Sequence, residues 1–222
     1  MRRIIEPELM DDVAQAEAYA AADFSDAHSR IVEAFAEYFP GDRITGPVLD
    51  LGCGPGDISF RFAARYPGCS VLGVDGATAM IRLATDRKAH DAACGERVRF
   101  IQGLLPAASM PDVKYAAIIS NSLLHHLHDP AVLWETIARH AQADTKIYVV
   151  DLFRPQSTAA ARQLVERYAV DEPDILRRDF YNSLCAAFEP REVESQLLAA
   201  GLAGLAVEVI SDRHLVVHGV KC

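Results

Sequence analysis

The segment that most constrains this chain runs Val48-Leu49-Asp50-Leu51-Gly52-Cys53-Gly54-Pro55-Gly56-Asp57, a short apolar run that ends in three glycines at alternate positions. Residues 58–66, with helical spacing, follow at once. A brief apolar run bounded by glycine reads as a buried strand. Glycine is required where the backbone turns sharply or approaches a ligand more closely than a Cβ permits. Strand, tight loop and helix in that order form the unit from which parallel sheets with crossover helices are built. A loop at the carboxyl end of such a strand borders the crevice where open α/β sheets bind ligands.

The rest of the chain repeats the alternation. Apolar runs near 71–74, 98–101, 115–119 and 147–150 are separated by segments of helical period at 78–89 and 131–140. The last of these opens behind Asp129-Pro130, a capping residue followed by a proline in the first turn. The pattern predicts a parallel sheet with helices on both faces. Ahead of it, residues 9–39 are rich in alanine, and Ile31, Val32, Phe35 and Phe39 make a helical apolar stripe behind Ser25, the expected cap. Residues 155–184 are helical and charged with no strand among them. Glu189-Pro190 opens a further helix to Ala200, and 206–210 and 214–220 read as a hairpin that closes the sheet. With no repeat, low-complexity tract or linker, residues 1–222 read as one domain, with an N-terminal helical cap (1–40) and a helical insertion (153–189).

Composition narrows the classes of partner. Twenty-two Lys and Arg against 31 Asp and Glu leave a formal charge of −9, and 50% hydrophobic residues suit a globular chain. The acidic balance removes the counterion release that drives general nucleic-acid binding, so nucleic acid is a disfavoured partner. The five cysteines, Cys53, Cys69, Cys94, Cys185 and Cys222, form no Cys-x-x-Cys pair and suit a reducing, cytoplasmic setting. No apolar run approaches the ~20 residues needed to span a bilayer. Arg2 and Arg3 are followed by only Ile4 and Ile5 before Glu6, which leaves no signal-peptide core.

Asp75 ends the second apolar run, 23 residues after Gly52. That is near the ~20-residue offset at which an acid accepts both hydroxyls of a bound ribose. A carboxylate suits a diol because it offers two acceptor oxygens. The same arrangement would serve an NAD-dependent oxidoreductase, and a plain tight turn with Asp75 as a loop cap is a further reading at this point.

At these residues the chain resembles the class I S-adenosylmethionine-dependent methyltransferases. Asp50-Leu51-Gly52-Cys53-Gly54-Pro55-Gly56 is similar to the family's glycine signature, whose leading acid the dinucleotide fingerprint lacks. Gly73-Val74-Asp75-Gly76 with Met80 resembles the ribose-binding second strand and the apolar adenine contact, and Gln102-Gly103 resembles the adenine-side loop. Residues 120–127, with Asn121 and Ser122, resemble the segment beside the methionine moiety. Tyr19 lies in the N-terminal helical segment that in many relatives folds over the cofactor. The resemblance covers about residues 45–220. It implies a Rossmann-like α/β fold: a seven-stranded, mostly parallel sheet with an antiparallel strand in its C-terminal hairpin. S-adenosylmethionine would lie across the carboxyl ends of the strands, with S-adenosylhomocysteine as product. Leu104 departs from the pattern, since many relatives carry an acid there to bond the adenine amino group.

Methyl transfer from a sulfonium is an in-line displacement, so the protein mainly positions the acceptor and excludes water. A base is useful when the acceptor is a hydroxyl or a protonated amine, and histidine has a suitable pKa. His125 and His126, which cluster with His128 after the fourth apolar run, are the candidate catalytic residues; capping of the next helix is the alternative. A metal is not expected there, because adjacent histidines diverge and no acidic or Cys motif accompanies them. Arg154 follows the fifth run, and Phe180, Tyr181 and Asn182 lie in the helical insertion; these four are the candidate acceptor contacts. The expected partner is a small-molecule methyl acceptor, handled by a monomer or homodimer. Protein or tRNA methylation, and a non-catalytic module that binds S-adenosylmethionine, are the alternatives.

Overall fold

Successive side chains of a strand leave opposite faces of its sheet, so a strand covered on both sides must be apolar at every position. The computed structural model, which describes all residues but 8, 42, 92 and 222, contains five parallel strands, of which the three central ones are buried along most of their length. The five are β1 (Gly46–Leu51), β2 (Cys69–Asp75), β3 (Val98–Gln102), β4 (Ala117–Asn121) and β5 (Lys146–Leu152). With β6 (Ala206–Val209) and β7 (His214–Val220) they form one sheet in the order β3-β2-β1-β4-β5-β7-β6. The hairpin strand β7 runs antiparallel to both β5 and β6. Seven strands, mostly parallel with an antiparallel C-terminal strand, are what the resemblance implied.

Among the described residues eight helices surround this sheet: α1 (Val13–Ala21), α2 (Ser25–Tyr38), α3 (Asp57–Arg65), α4 (Thr78–His90), α5 (Ala131–His140), α6 (Thr158–Tyr168), α7 (Asp174–Ala186) and α8 (Pro190–Ala199). The period-two rule sorts the core into two layers. Val48, Ile119, Tyr148 and Val150 meet Val32 and Phe35 of α2 and Phe62 of α3. Leu49, Ile118, Ile147 and Val149 meet Leu133, Trp134 and Ile137 of α5 and Val193 and Leu197 of α8.

Two expectations about the N-terminal segment change here. Ser25 is the first residue of α2 rather than its cap; the Asp23 carboxylate accepts from both the Ser25 N–H and its hydroxyl. The segment 1–40 is not a uniform cap either. Phe35 is fully buried, edge-on to Phe62 and Tyr148, so α2 covers one face of the sheet as a core helix. The helical stripe predicted this burial, but its place in the chain suggested an addition. The helix α1 and the extended residues before it lie over the carboxyl edge of the sheet, where Ala16 packs on Ala77 and Met80, while the first turns of α2 reach the same edge through Ala27, His28 and Ile31.

Candidate active site

All three loop glycines have positive φ: +71° at Gly52, +52° at Gly54 and +82° at Gly56. L-residues with a side chain rarely adopt that region. A Cβ at Gly52 would stand 2.8 Å from Leu123, and one at Gly56 2.5 Å from Phe100. At Gly54 nothing lies within 4 Å, because that position faces a cavity. The Gly54 N–H donates to Asp75 Oδ2 at 2.9 Å and the Ala77 N–H to Asp75 Oδ1 at 2.8 Å. One carboxylate thus ties together the loops that follow β1 and β2, and each of its oxygens keeps a lone pair to spare.

The cavity, about 590 Å³, opens along the carboxyl ends of β1, β2 and β4. It falls within the ~300–1,000 Å³ of small-molecule sites. Tyr19, Asp50, Gly52, Cys53, Gly54 and Asp75 border it, as do Gly76, Met80, Gly103, Asn121 and Ser122. His125, His126 and Phe180 line it too. Leu104, which stands where relatives carry an acid, gives the wall an apolar surface.

Several expected residues lie elsewhere. Gly56 heads α3 in a left-handed conformation beneath the loop, and Gln102 spends its amide on Thr78 Oγ1 (2.8 Å) and the Gly76 carbonyl (3.4 Å), joining the end of β3 to α4. Arg154 is buried and engaged throughout: it donates to the carbonyls of Met1 and Ala187 and to the Glu189 and Glu192 carboxylates, at 2.9–3.1 Å. It clamps the chain start to α8 and does not reach the cavity. Tyr181 packs against the apolar cluster around Leu164 and Leu184, as its neighbour Phe180 does, but of the two it is Phe180 that borders the cavity. Asn182 is half-buried and also lies off the cavity wall.

The charged groups at this edge are strongly perturbed. Burial pushes the Asp50 carboxyl up to about 7. Its only hydrogen-bond donor among the described residues is the Ser59 hydroxyl, at 2.5 Å, and Asp75 nearby adds to the shift. Burial also raises Asp75, opposed by its two backbone N–H donors, and lifts Tyr19 to about 12. At the outer end burial raises Asp57, but hydrogen bonds from His28, Arg61 and Arg87 outweigh it and hold the carboxyl well below its usual range.

Beyond Ser122 the short turn 124–126 presents the two histidines. His125 Nδ1 lies 2.5 Å from Asp151 Oδ1, and the Asp151 carboxylate is itself fixed by the N–H groups of Leu124 (2.8 Å) and Leu152 (2.7 Å). Burial lowers the His125 pKa, but Asp151 beside it more than reverses this. Burial drives His126 down to about 3. Glu6, from the extended N-terminal segment, brings Oε1 to 3.7 Å from His125 Nε2 and 3.4 Å from His126 Nδ1. Sequence reasoning missed Glu6 and Arg3, which donates to the carbonyls of His125 (3.0 Å) and Leu127 (2.8 Å). Neither sits in a periodic segment or a motif, so no local signal marks them.

The helices α1 and α7 meet across this edge, where Gln15 Nε2 donates to Asp179 Oδ2 at 2.8 Å. Together they roof the cavity between Tyr19 and Phe180.

A methyltransferase domain model matches residues 48–144. Among curated proteins the chain is similar to an uncharacterized methyltransferase of Mycobacterium tuberculosis, 32% identical over 82 residues that are 37% of this chain and 38% of the relative. It is also similar to the trans-aconitate 2-methyltransferase of Rhizobium meliloti, 31% identical over 116 residues, 52% of this chain and 42% of that protein. These matches thus span about two fifths of the relatives' own length. Among solved structures, a SAM-dependent methyltransferase from Aquifex aeolicus superposes with a TM-score of 0.67 at 15% identity, over 93% of this chain and 97% of the other. The chain therefore shares the fold of that SAM-dependent methyltransferase, and its residues 48–144 match the model of a methyltransferase domain.

Proposed function

We propose that the chain binds S-adenosylmethionine along the carboxyl edge of β1, β2 and β4 and catalyses transfer of its methyl group to a small-molecule acceptor. The observation that carries this reading is the pairing of the Gly54 loop with Asp75: a void where a Cβ would stand, beside a fixed carboxylate with spare lone pairs. The residues present fit the cofactor. Asp75 accepts the two ribose hydroxyls, the apolar wall of Met80 and Leu104 takes the adenine face, and Asp50, a buried carboxyl without a cation partner among the described residues, suits the amino-acid ammonium.

When bound, the sulfonium supplies an electrophilic methyl group. The protein's part is positioning and exclusion of water. The backbone of residues 52–54 holds the amino-acid end at the close approach that only glycine allows. The roof of α1 and α7 shields the reacting centre, with Phe180 as the acceptor contact. His125 and His126 are the polar groups of the acceptor side. A roofed cavity of this size supports a small acceptor over a protein or tRNA, as does the likeness to trans-aconitate 2-methyltransferases. The four described cysteines are buried and free, in keeping with a cytoplasmic setting; Cys222 lies outside the described residues.

Turnover of labelled S-adenosylmethionine against metabolite pools, with the methylated product identified by mass, tests the reading. A small labelled product is expected. Binding without turnover of any pool would favour a non-catalytic module, and label in tRNA or protein would move the acceptor class.

A further inference from the structure

We infer that Glu6, His125 and His126 form a three-ligand site for a divalent transition-metal ion at the acceptor side of the cavity. One ligand atom from each lies within 4.8 Å of the other two, although Glu6 is more than a hundred residues from the histidines. The separations from Glu6 Oε1, 3.4 and 3.7 Å, exceed the ~2.7–3.2 Å of N–H···O hydrogen bonds. They match the ~3.4 Å that separates tetrahedral ligands standing ~2.0–2.1 Å from a common centre.

A second observation points the same way. Among the described residues, the buried Glu6 Oε1 and His126 Nδ1 have no hydrogen-bond partner, and the Glu6 side chain is only 9% exposed. Buried polar atoms are nearly always satisfied, because each orphan costs ~1–3 kcal/mol. One cation between them would satisfy both.

The surrounding groups are arranged as a metal site requires. Metal-bound histidines usually give their other ring nitrogen to a carboxylate, which fixes the tautomer. Asp151 does this for His125, leaving the Nε2 lone pair on the Glu6 side. Ser183 Oγ donates to Glu6 Oε2 at 3.4 Å, the Glu6 carbonyl lies 2.8 Å from His128 Nε2, and Arg3 fixes the backbone of the turn that carries both histidines. Two imidazoles and one carboxylate suit Zn²⁺ and its neighbours rather than Mg²⁺ or Ca²⁺. Three protein ligands leave a fourth position for a ligand from the cavity that both histidines border.

Where the site acts in catalysis, this rests on the function proposed above. The acceptor is then an oxygen donor, an alcohol, enol or carboxylate, bound at the fourth position. A hydroxyl acceptor loses its proton to water on binding the ion; its oxygen then forms the new O–C bond as the C–S bond of the donor breaks, both electrons of that bond leaving with sulfur.

The site is tested on the full chain without S-adenosylmethionine, so failure of the cofactor reading cannot be mistaken for failure of this one. Chelator-treated protein is titrated with Zn²⁺ by calorimetry and with Co²⁺ by visible absorption. One ion per chain is expected, with affinity at least ten-fold weaker in Glu6→Gln and in His126→Ala, and ~10- to 100-fold weaker in Asp151→Asn. Should a variant fail to fold by circular dichroism, X-ray absorption of the Zn²⁺-loaded wild-type chain gives the answer directly, as two imidazole nitrogens with oxygen ligands. No stoichiometric binding, binding indifferent to Glu6 and His126, or a spectrum without imidazole ligands would overturn the site and leave a proton, not a metal, shared between His125 and its two carboxylates.

Discussion

Replacing Asp75 gives the sharpest test of the cofactor edge, because its carboxylate holds the protein together and is proposed to hold the ligand. In the free chain it accepts one N–H at each oxygen, from Gly54 at 2.9 Å and Ala77 at 2.8 Å. Two ribose hydroxyls would add two charge-assisted bonds, each worth ~1.5–3 kcal/mol net of exchange with water. After allowing for the water that refills an alanine-sized gap, Asp75→Ala should cost about 2–4 kcal/mol of binding, or ~30- to 1,000-fold in Kd. The lost N–H acceptors should also lower the melting temperature, so Asp75→Asn is the companion variant: its amide oxygen still serves one N–H while the amide nitrogen cannot accept from a hydroxyl. Calorimetric titration with S-adenosylhomocysteine at mildly alkaline pH, which favours the charged form of the burial-raised Asp75, reads the effect. A Kd within about threefold of wild type in either folded variant would refute the ribose assignment.

Asp50 should leave a pH signature in the free protein. Its folded pKa of about 7 lies above the ordinary ~3.9, so the folded chain keeps a proton that the unfolded chain has lost between those values. Its contribution to stability therefore falls as pH rises from ~4 to ~7 and is flat above; Asp50→Asn, which still accepts from Ser59, should flatten that fall in a pH series of urea melts, and an unchanged slope would remove the assignment. Gly54→Val meets no protein atom but must hold φ at +52°, so it should fold with a modest loss of stability and lose S-adenosylhomocysteine binding by calorimetry; normal binding would show that the loop does not approach the ligand. Phe35→Ala should cost ~3–5 kcal/mol in urea unfolding, since Phe35 is fully buried on the sheet; a loss below ~1 kcal/mol would return α2 to the status of a detachable cap. Hydrogen exchange should slow in both α1 and α7 when S-adenosylhomocysteine is added, and no change in either would make them plain packing elements.

The sheet was legible because its evidence is local. Strands buried on both faces are mainly apolar, as 147–150 are and as 48–51 are but for Asp50, which borders the cavity, and the helices between them carry their own period. The glycine loop was legible for the same reason, since three positive φ values in five residues leave almost no other residue type. Boundaries were less so. Tyr115 is apolar and buried like a strand residue, yet β4 begins at Ala117, while the Tyr115 hydroxyl turns back to the Pro111 carbonyl at 3.0 Å. Arg154 misled for a related reason: its position at the carboxyl edge is that of a ligand residue, but carbonyls and acids 33 to 153 residues away claim every direction of its guanidinium.

The acceptor side differs in kind from the cofactor side. The glycine loop and Asp75 of the proposed cofactor edge lie in one stretch, from Asp50 to Asp75, whose sequence pattern marks them. The other side is assembled from pairs that no periodicity links: Glu6 with His125 and His126, Gln15 with Asp179, Arg3 with the carbonyls of Ala186 and Leu127. Each pair has one member in the first 15 residues and the other on the turn after β4 or on α7. The N-terminal segment therefore forms a common wall along the turn after β4 and α7, with side chains that would be unremarkable on any surface. The physical basis of the difference is that the cofactor edge depends on backbone geometry, which constrains residue type tightly, whereas the acceptor side depends on side-chain contacts between distant segments, which many sequences can supply.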